Sequence, residues 1–100
     1  MSAEIYAARA KDVAARMIGG EMMVMSGRDS SLFSLNATAS VLWQAIDGRT
    51  PLSRIVVSTL CRDFDVDERE ALRDAEEILR DLASHGVVVV SDAPIVEAAR

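Results

Sequence analysis

Two side chains of the types that most often carry catalysis are present, Cys61 and His85, and each is the only residue of its kind. A thiol nucleophile needs an activating base, and no motif of that sort surrounds Cys61. His85 stands at the end of a predicted helix, where the helix dipole favours a positive charge, so a structural role is the stronger interpretation. One Cys and one His do not make a zinc ligand set, and carboxylates alone would hold an ion weakly.

The pair Gly19–Gly20 lacks the lysine and the following helix of a phosphate-binding loop. Two-residue hairpin turns need positive φ angles, which glycine adopts at low cost, so the pair predicts a tight β-hairpin instead. We therefore expect no catalytic residue, no metal site and no cofactor, in a protein that is not an enzyme.

Composition is that of an ordinary globular domain. Half of the 100 residues are hydrophobic and 27% are charged. No run of hydrophobic residues is longer than four, the length of Val87–Val90, which is far too short to cross a membrane, and the first residues lack the apolar stretch of a secretion signal. Since a single Cys suits a reducing compartment, we expect a cytoplasmic protein without a membrane partner.

Net charge argues against nucleic acid as a partner, because 16 acidic residues outnumber 11 basic ones. A DNA-binding module presents basic side chains that displace counterions from phosphates. A winged-helix transcription regulator would use the third predicted helix for recognition, and residues 68–85 hold three arginines against six acidic side chains. The regulator stays an open alternative, but a partner with a basic or neutral surface fits better.

Three short strands are predicted in the first third of the chain. Val13–Ile18 and Glu21–Met25 flank the glycine pair, and Ser31–Leu35 follows a looser turn. The alanine-rich stretch before Ile18 also has helical propensity, and the glycine turn decides for a strand. Residues 1–12 have no clear pattern, so we expect a flexible N-terminal arm there, with a leading strand as the alternative.

A mostly buried helix is predicted over residues 37–46, because its apolar side chains cover nearly the whole circumference. Asn36 suits its N-cap, and Asp47–Gly48 ends it with the glycine at the left-handed C′ position. Thr50–Pro51 begins a second helix, with a capping hydroxyl and a proline at the first helical position.

The second helix has an apolar face that continues to Phe64. Asp67 caps a third helix, Glu68–His85, which has apolar side chains at amphipathic spacing. Val87–Ser91 is predicted as a last strand. Short helices with tight connections beside a small antiparallel sheet predict an α+β, winged-helix-like domain, with a three-stranded antiparallel sheet followed by three helices and a short C-terminal strand. We expect it to cover residues 13–91 and to be followed by a loose C-terminal tail, residues 92–100.

Five blocks of the sequence together resemble the PqqD-like family, whose members are also called RiPP recognition elements. In order they are ARMIGGE (15–21), LNATASVLW (35–43), DGRTPLSRIV (47–56), DFDVD (63–67) and RDAEEILRDLASHGVV (73–88). The order and spacing of the blocks carry the resemblance, which covers most of the chain.

The resemblance implies a non-catalytic peptide-binding chaperone. Members of the family bind the leader segment of a ribosomally synthesised precursor peptide and present it to a modifying enzyme, often a radical enzyme that uses S-adenosylmethionine. The leader is held as an added antiparallel strand against the third strand, beside the third helix. The implied partners are therefore a leader peptide and a modifying enzyme, with a radical S-adenosylmethionine enzyme as one candidate.

Strand addition needs an exposed sheet edge, and the third predicted strand suits it unless another element, such as Val87–Val90, covers it. Phe33 and Leu35 would face the core while the residues between them face away. On the third helix we prefer the acidic border beside Ile78 to the arginine-rich one, since a basic leader would complement it. The predicted peptide-binding residues are Ser31, Leu32, Phe33, Ser34, Leu35, Asp74, Glu77, Ile78 and Asp81.

An exposed edge strand also allows strand-mediated dimers. Ser31–Leu35 would then pair with a second copy of the chain rather than with a peptide. A homodimer, and a small dimerisation module as the function, are therefore kept beside the peptide-binding and regulator hypotheses.

Overall fold

The structure is a computed structural model that describes residues 4–27 and 30–95. Its elements are β1 (Tyr6–Arg9), β2 (Val13–Ile18), β3 (Glu21–Ser26), β4 (Leu32–Leu35), α1 (Ala37–Ala45), α2 (Leu52–Ser58), α3 (Leu60–Asp63), α4 (Glu68–Ser84) and β5 (Val88–Ser91). The predicted α+β class is confirmed, with a three-stranded antiparallel sheet, the helices and a C-terminal strand. No helix within the described ranges is long and apolar enough to cross a membrane.

The three-stranded sheet has the order β2-β3-β4 and is antiparallel throughout. Gly19 and Gly20 form the turn between β2 and β3 with φ angles of 60° and 86°, the positive values that a two-residue hairpin turn needs. The predicted hairpin is therefore confirmed. Val24, in the central strand, is fully buried and anchors the sheet in the core.

A second sheet joins the beginning of the described chain to its end. β1 and β5 pair antiparallel, with Tyr6 opposite Ser91, and Ala7 and Ala8 of β1 are buried. Residues 6–9 of the predicted arm are thus a strand, the alternative considered for that segment, because β5 supplies them with a partner. Residues 1–3 of the predicted arm and residues 96–100 of the predicted tail lie outside the described residues.

Asn36 and Asp67 cap α1 and α4, as predicted. The side-chain oxygen of Asn36 accepts a hydrogen bond from Ala39 N at 2.8 Å. A carboxylate oxygen of Asp67 accepts from Arg69 N and Glu70 N, at 3.1 and 3.2 Å. These bonds satisfy backbone donors of the first turn, which have no partner within the helix.

The second predicted helix is interrupted at Thr59, so α2 and α3 are separate elements. Thr59 has φ of −120° and ψ of −70°. The hydroxyls of Ser58 and Thr59 both donate to Ile55 O, at 3.2 and 2.6 Å. Thr59 N also donates to Ile55 O, at 3.0 Å, so the hydroxyls add to the last backbone bond of α2 at the residue where the helix is interrupted.

Asp47 holds the turn that leads into α2. One carboxylate oxygen accepts hydrogen bonds from Arg49 N and Thr50 N, at 2.9 and 2.8 Å, and the other accepts from the Thr50 hydroxyl at 3.0 Å. The bond from Thr50 N, followed by that from Arg49 N, lowers the pKa of Asp47 from its ordinary value. The predicted capping role of Thr50 is wrong, because Asp47 holds its hydroxyl and Pro51 occupies the N-cap of α2.

The lowered pKa of Asp47 predicts a pH-dependent stability. A carboxyl group with a lower pKa in the folded state stabilises the fold when ionised, and this contribution is lost as the pH falls through the folded pKa. Asp47→Asn keeps the side-chain oxygen acceptor and removes the charge. The wild-type protein should therefore have the larger unfolding free energy at neutral pH, and the difference between wild type and variant should narrow as the pH falls below about 5 toward the lowered pKa of Asp47. Denaturant titration at several pH values measures both unfolding free energies. A difference between the two proteins that does not vary with pH would contradict the prediction.

Gly48 follows α1 and ties both ends of the described chain to the turn. It donates its N–H to Ala7 O at 2.8 Å, and its carbonyl accepts from Ile95 N at 2.7 Å. Its φ is 77°, two residues beyond the helix C-cap rather than at the predicted C′. A Cβ at this position would lie 2.8 Å from Ile95 O and 3.3 Å from Ala8 Cβ.

Gly48→Ala is expected to destabilise the fold by about 2–4 kcal/mol, because the positive φ strains an L-residue and the added Cβ overlaps the backbone of Ile95. Gly20→Ala is the matched control, with φ of 86° and nothing within 4 Å of the added Cβ. Only the backbone strain, about 1 kcal/mol, then remains. Equal losses of unfolding free energy in the two variants would show that the contact with Ile95 has no energetic weight.

Candidate functional site

β4 is an edge strand of the three-stranded sheet. On one side it pairs with β3, with Leu35 opposite Met22 and Leu32 opposite Met25. The element expected as a cover for the other side, β5, pairs with β1 in the second sheet instead. Within residues 4–27 and 30–95, the outer edge of β4 therefore has no strand beside it.

The ladder between β3 and β4 fixes which backbone groups reach this outer edge. Ser26 N donates to Ser31 O at 2.9 Å, so this is a hydrogen-bonded pair of the ladder. Hydrogen-bonded and non-hydrogen-bonded pairs alternate along antiparallel strands. Phe33 therefore turns its N–H and C=O toward β3, whereas Leu32 and Ser34 turn theirs outward.

The side chains of β4 alternate between two faces of the sheet. Leu35 is buried, and Phe33 is partly buried against the core. On the opposite face Leu32 is 59% exposed. The Ser34 hydroxyl on that face donates to a carboxylate oxygen of Glu21 at 2.9 Å. This burial follows the alternation expected from the sequence.

The C-terminal end of α4 meets β4 through a contact between two rings. The ring centroids of Phe33 and His85 lie 4.6 Å apart, with 45° between the planes. His85 Nε2 lies 3.9 Å from Asp81 Oδ1, one turn earlier in the helix. Since residues three and four apart share a helix face, His85, Asp81 and Ile78 lie along one side. At this end of α4, the acidic border is therefore the one beside β4.

The remaining predicted residues of α4 divide between this side and its margin. Ile78 packs against the core and is partly buried. Asp74 and Asp81 are exposed and lie one turn before and after it on the same side. Glu77 is also exposed, but it projects about 100° away from Ile78 around the helix. The contact between Phe33 and His85 thus joins β4 to this side of α4 at the C-terminal end of the helix, and Glu77 lies farther out around the helix.

His85 lies at this junction but was not among the predicted site residues. Its position at a helix end favoured a purely structural role. Its spacing, four residues after Asp81 and seven after Ile78, is the pattern that would have placed it on the same face. No group of three or more His, Cys, Asp or Glu side chains that could hold a metal ion is found in the described part of the chain.

Comparisons with known proteins identify the family. The model of "Coenzyme PQQ synthesis protein D (PqqD)" matches residues 21–88, a segment that contains β4 and α4. A search of curated proteins found no significant match.

Two solved structures have a similar fold. The complex of TbiB1 with the TbiA(beta) leader peptide has a TM-score of 0.73 and 23% sequence identity, over 81% of this chain and 93% of that one. Lasso peptide synthetase B1 complexed with the leader peptide has a TM-score of 0.70 and 20% identity, over 87% of this chain and 99% of that one. At these identities the likeness concerns the fold. The family model, however, spans more than half of the sequence, and this chain belongs to the PqqD family.

Proposed function

We propose that this protein is a RiPP recognition element, a non-catalytic domain that binds the leader segment of a ribosomally synthesised precursor peptide. The observation that carries the proposal is the uncovered outer edge of β4 in a chain of the PqqD family. Both similar structures are complexes with leader peptides, which supports the same ligand class here.

The leader would bind as an antiparallel strand added to β4. Leu32 and Ser34 offer two N–H and two C=O groups at the outer edge, and these groups match the main-chain pattern of an added strand. Ser31 and Leu35 would mark the two ends of the pairing. Leader side chains on the helix side would contact Phe33, whose ring is partly exposed.

α4 would form the other wall of the site. Ile78 offers apolar surface for an aliphatic or aromatic leader side chain. Asp74 and Asp81 flank it, and Glu77 extends the negative charge outward, so Lys or Arg in the leader would be favoured at these positions. His85 adds a ring that packs on Phe33 at the closed end of the site.

The domain would act by presentation. Holding the leader tethers the rest of the precursor close to a modifying enzyme and raises the effective concentration of the segment to be modified. A radical S-adenosylmethionine enzyme is one candidate for this partner. The domain itself supplies recognition, and the enzyme supplies the chemistry.

An amide NMR titration of isotope-labelled protein with a synthetic leader peptide tests the proposal. The peptide is the leader of the precursor whose gene lies nearest to the gene of this protein, and a leader from an unrelated precursor is the control. Shifts are expected in Ser31–Leu35 and along the Asp74–Ile78–Asp81 side of α4. The proposal would be refuted if, in a folded sample, the leader from the neighbouring gene shifted no resonance in Ser31–Leu35 or in α4.

A further inference from the structure

β2 is the opposite edge of the three-stranded sheet, and within the described residues it is exposed on both faces except at Val13, which packs partly against the core. Among the residues that the structure describes, its strand partner is β3. Every residue of 14–18 is exposed, with Met17 at 57% and Ile18 at 55%. Natural edge strands usually carry several charges or a proline that prevent pairing with another strand, whereas β2 has Arg16 as its one charged residue.

The ladder between β2 and β3 fixes the backbone groups that β2 presents. Gly27 N donates to Asp12 O in register with the strand pairing, so Asp12 belongs to a hydrogen-bonded pair. Because such pairs alternate with non-hydrogen-bonded ones, Val13, Ala15 and Met17 turn their backbone groups to the outer edge. The edge thus offers three N–H and three C=O groups.

We propose that two copies of this chain associate by antiparallel pairing of β2 with β2, around a two-fold axis at Ala15. Ala15 then lies opposite Ala15 of the second copy, and Val13 lies opposite Met17 of the second copy. In this register every outward backbone group of Val13, Ala15 and Met17 has a partner. The two sheets become one sheet of six strands, and the interface is the same patch on both copies.

The side chains are complementary in this register. On the helix-side face, Met17 covers Val13 of the second copy, so apolar surface that is exposed in the single chain becomes buried. On the other face, Arg16 lies opposite Ala14 of the second copy, and its long side chain has both Asp12 and Arg16 of the second copy as diagonal neighbours. Moving the axis to Arg16 would set two arginines directly opposite each other, which is unfavourable.

This interface is independent of the leader site, because β2 and β4 are opposite edges of the sheet. The dimer leaves both β4 edges open, so it would present two leader sites, one at each end of the joined sheet. Failure of the dimer proposal can therefore be distinguished from failure of the proposed function: the first abolishes dimerisation and leaves leader binding intact, and the second does the reverse.

Sedimentation velocity of the full chain, over a concentration series reaching a few hundred micromolar, tests the proposal. A dimer that increases with concentration is expected. Met17→Lys sets a charge against Val13 of the second copy and should weaken the dimer by about tenfold. Ile18→Lys is the matched control: its exposure is nearly the same, but its position faces Asp12 of the second copy, so the dimer should persist or become tighter.

Three results would overturn the proposal. One is a monomer at every concentration, which would leave β2 to a different partner such as the modifying enzyme. Another is an equal loss of dimer in both lysine variants, which would indicate unspecific apolar contact at the hairpin tip. The third is a dimer that the leader peptide dissociates, which would place the interface at β4.

Discussion

Leu32→Pro should weaken leader binding by about tenfold or more while the domain stays folded. Leu32 is the first residue of β4 and directs its N–H away from β3, so proline there removes a donor from the outer edge without taking a bond from the sheet. A lost main-chain hydrogen bond, together with the bulk of the proline ring in the path of an added strand, is worth about 1–2 kcal/mol. Isothermal titration calorimetry with the leader peptide measures the change in Kd.

Leu32→Ala is the control for this substitution, because it removes the same side chain and keeps the N–H. Its affinity should stay within about threefold of the wild-type value, since the Leu32 side chain is exposed on the face away from α4. Amide spectra of the two variants, recorded without peptide, verify that both are folded. If the two variants bind the leader equally well, strand addition at β4 is excluded even if the peptide still binds.

Leu42→Ala should have the largest effect on stability, a loss of about 2–5 kcal/mol of unfolding free energy. Leu42 lies in α1 and is 0% exposed, in a core cluster that joins this helix to β3, α2 and α4. The cost combines the lost transfer of the side chain out of water with the cavity that its neighbours leave open. For a domain of this size, the loss is a large part of the total stability.

Leu32→Ala again provides the control, because it deletes the same atoms at a position that is 59% exposed. Its cost should be within about 0.5 kcal/mol. Guanidinium unfolding followed by circular dichroism gives both values. A loss of less than about 1 kcal/mol for Leu42→Ala would mean that α1 does not pack in the core as described.

The elements that could be predicted from the sequence are those specified by local chemistry. Gly19–Gly20 can turn the chain in two residues because both take positive φ angles at low cost. Asn36 and Asp67 each mark a helix start, because a side-chain oxygen there satisfies a backbone donor two or three residues later. Each of these decisions is made within a few residues, so no knowledge of the rest of the fold is needed.

The features that escaped prediction depend either on a distant strand partner or on competition between groups for the same hydrogen bonds. Tyr6–Arg9 has no strand pattern of its own and becomes β1 because β5 lies beside it. Thr50 resembles a helix cap, but Asp47 binds its hydroxyl first. The break at Thr59 is local, but choosing between a bent helix and two helices depends on how the segment packs.

The candidate site divides in the same way. That β4 follows a turn and alternates between two faces could be predicted from Ser31–Leu35 itself. Which border of α4 lies beside β4 is set by the packing of the whole helix. From the sequence, charge alone could favour the acidic border but could not place it beside β4. The contact between Phe33 and His85 supplies that information, and no spacing rule connects residues so distant in sequence.

The pairing of β1 with β5 also orders events while the chain is being synthesised. β1 is synthesised early, but its partner β5 is synthesised only after all the helices. Ala7 and Ala8 therefore cannot pair in a sheet until β5 has been made. β2, β3 and β4 follow one another directly and pair through contacts of short sequence separation, which form first. The edge proposed for the leader therefore belongs to the part of the sheet whose strand pairing needs no residue made after β4.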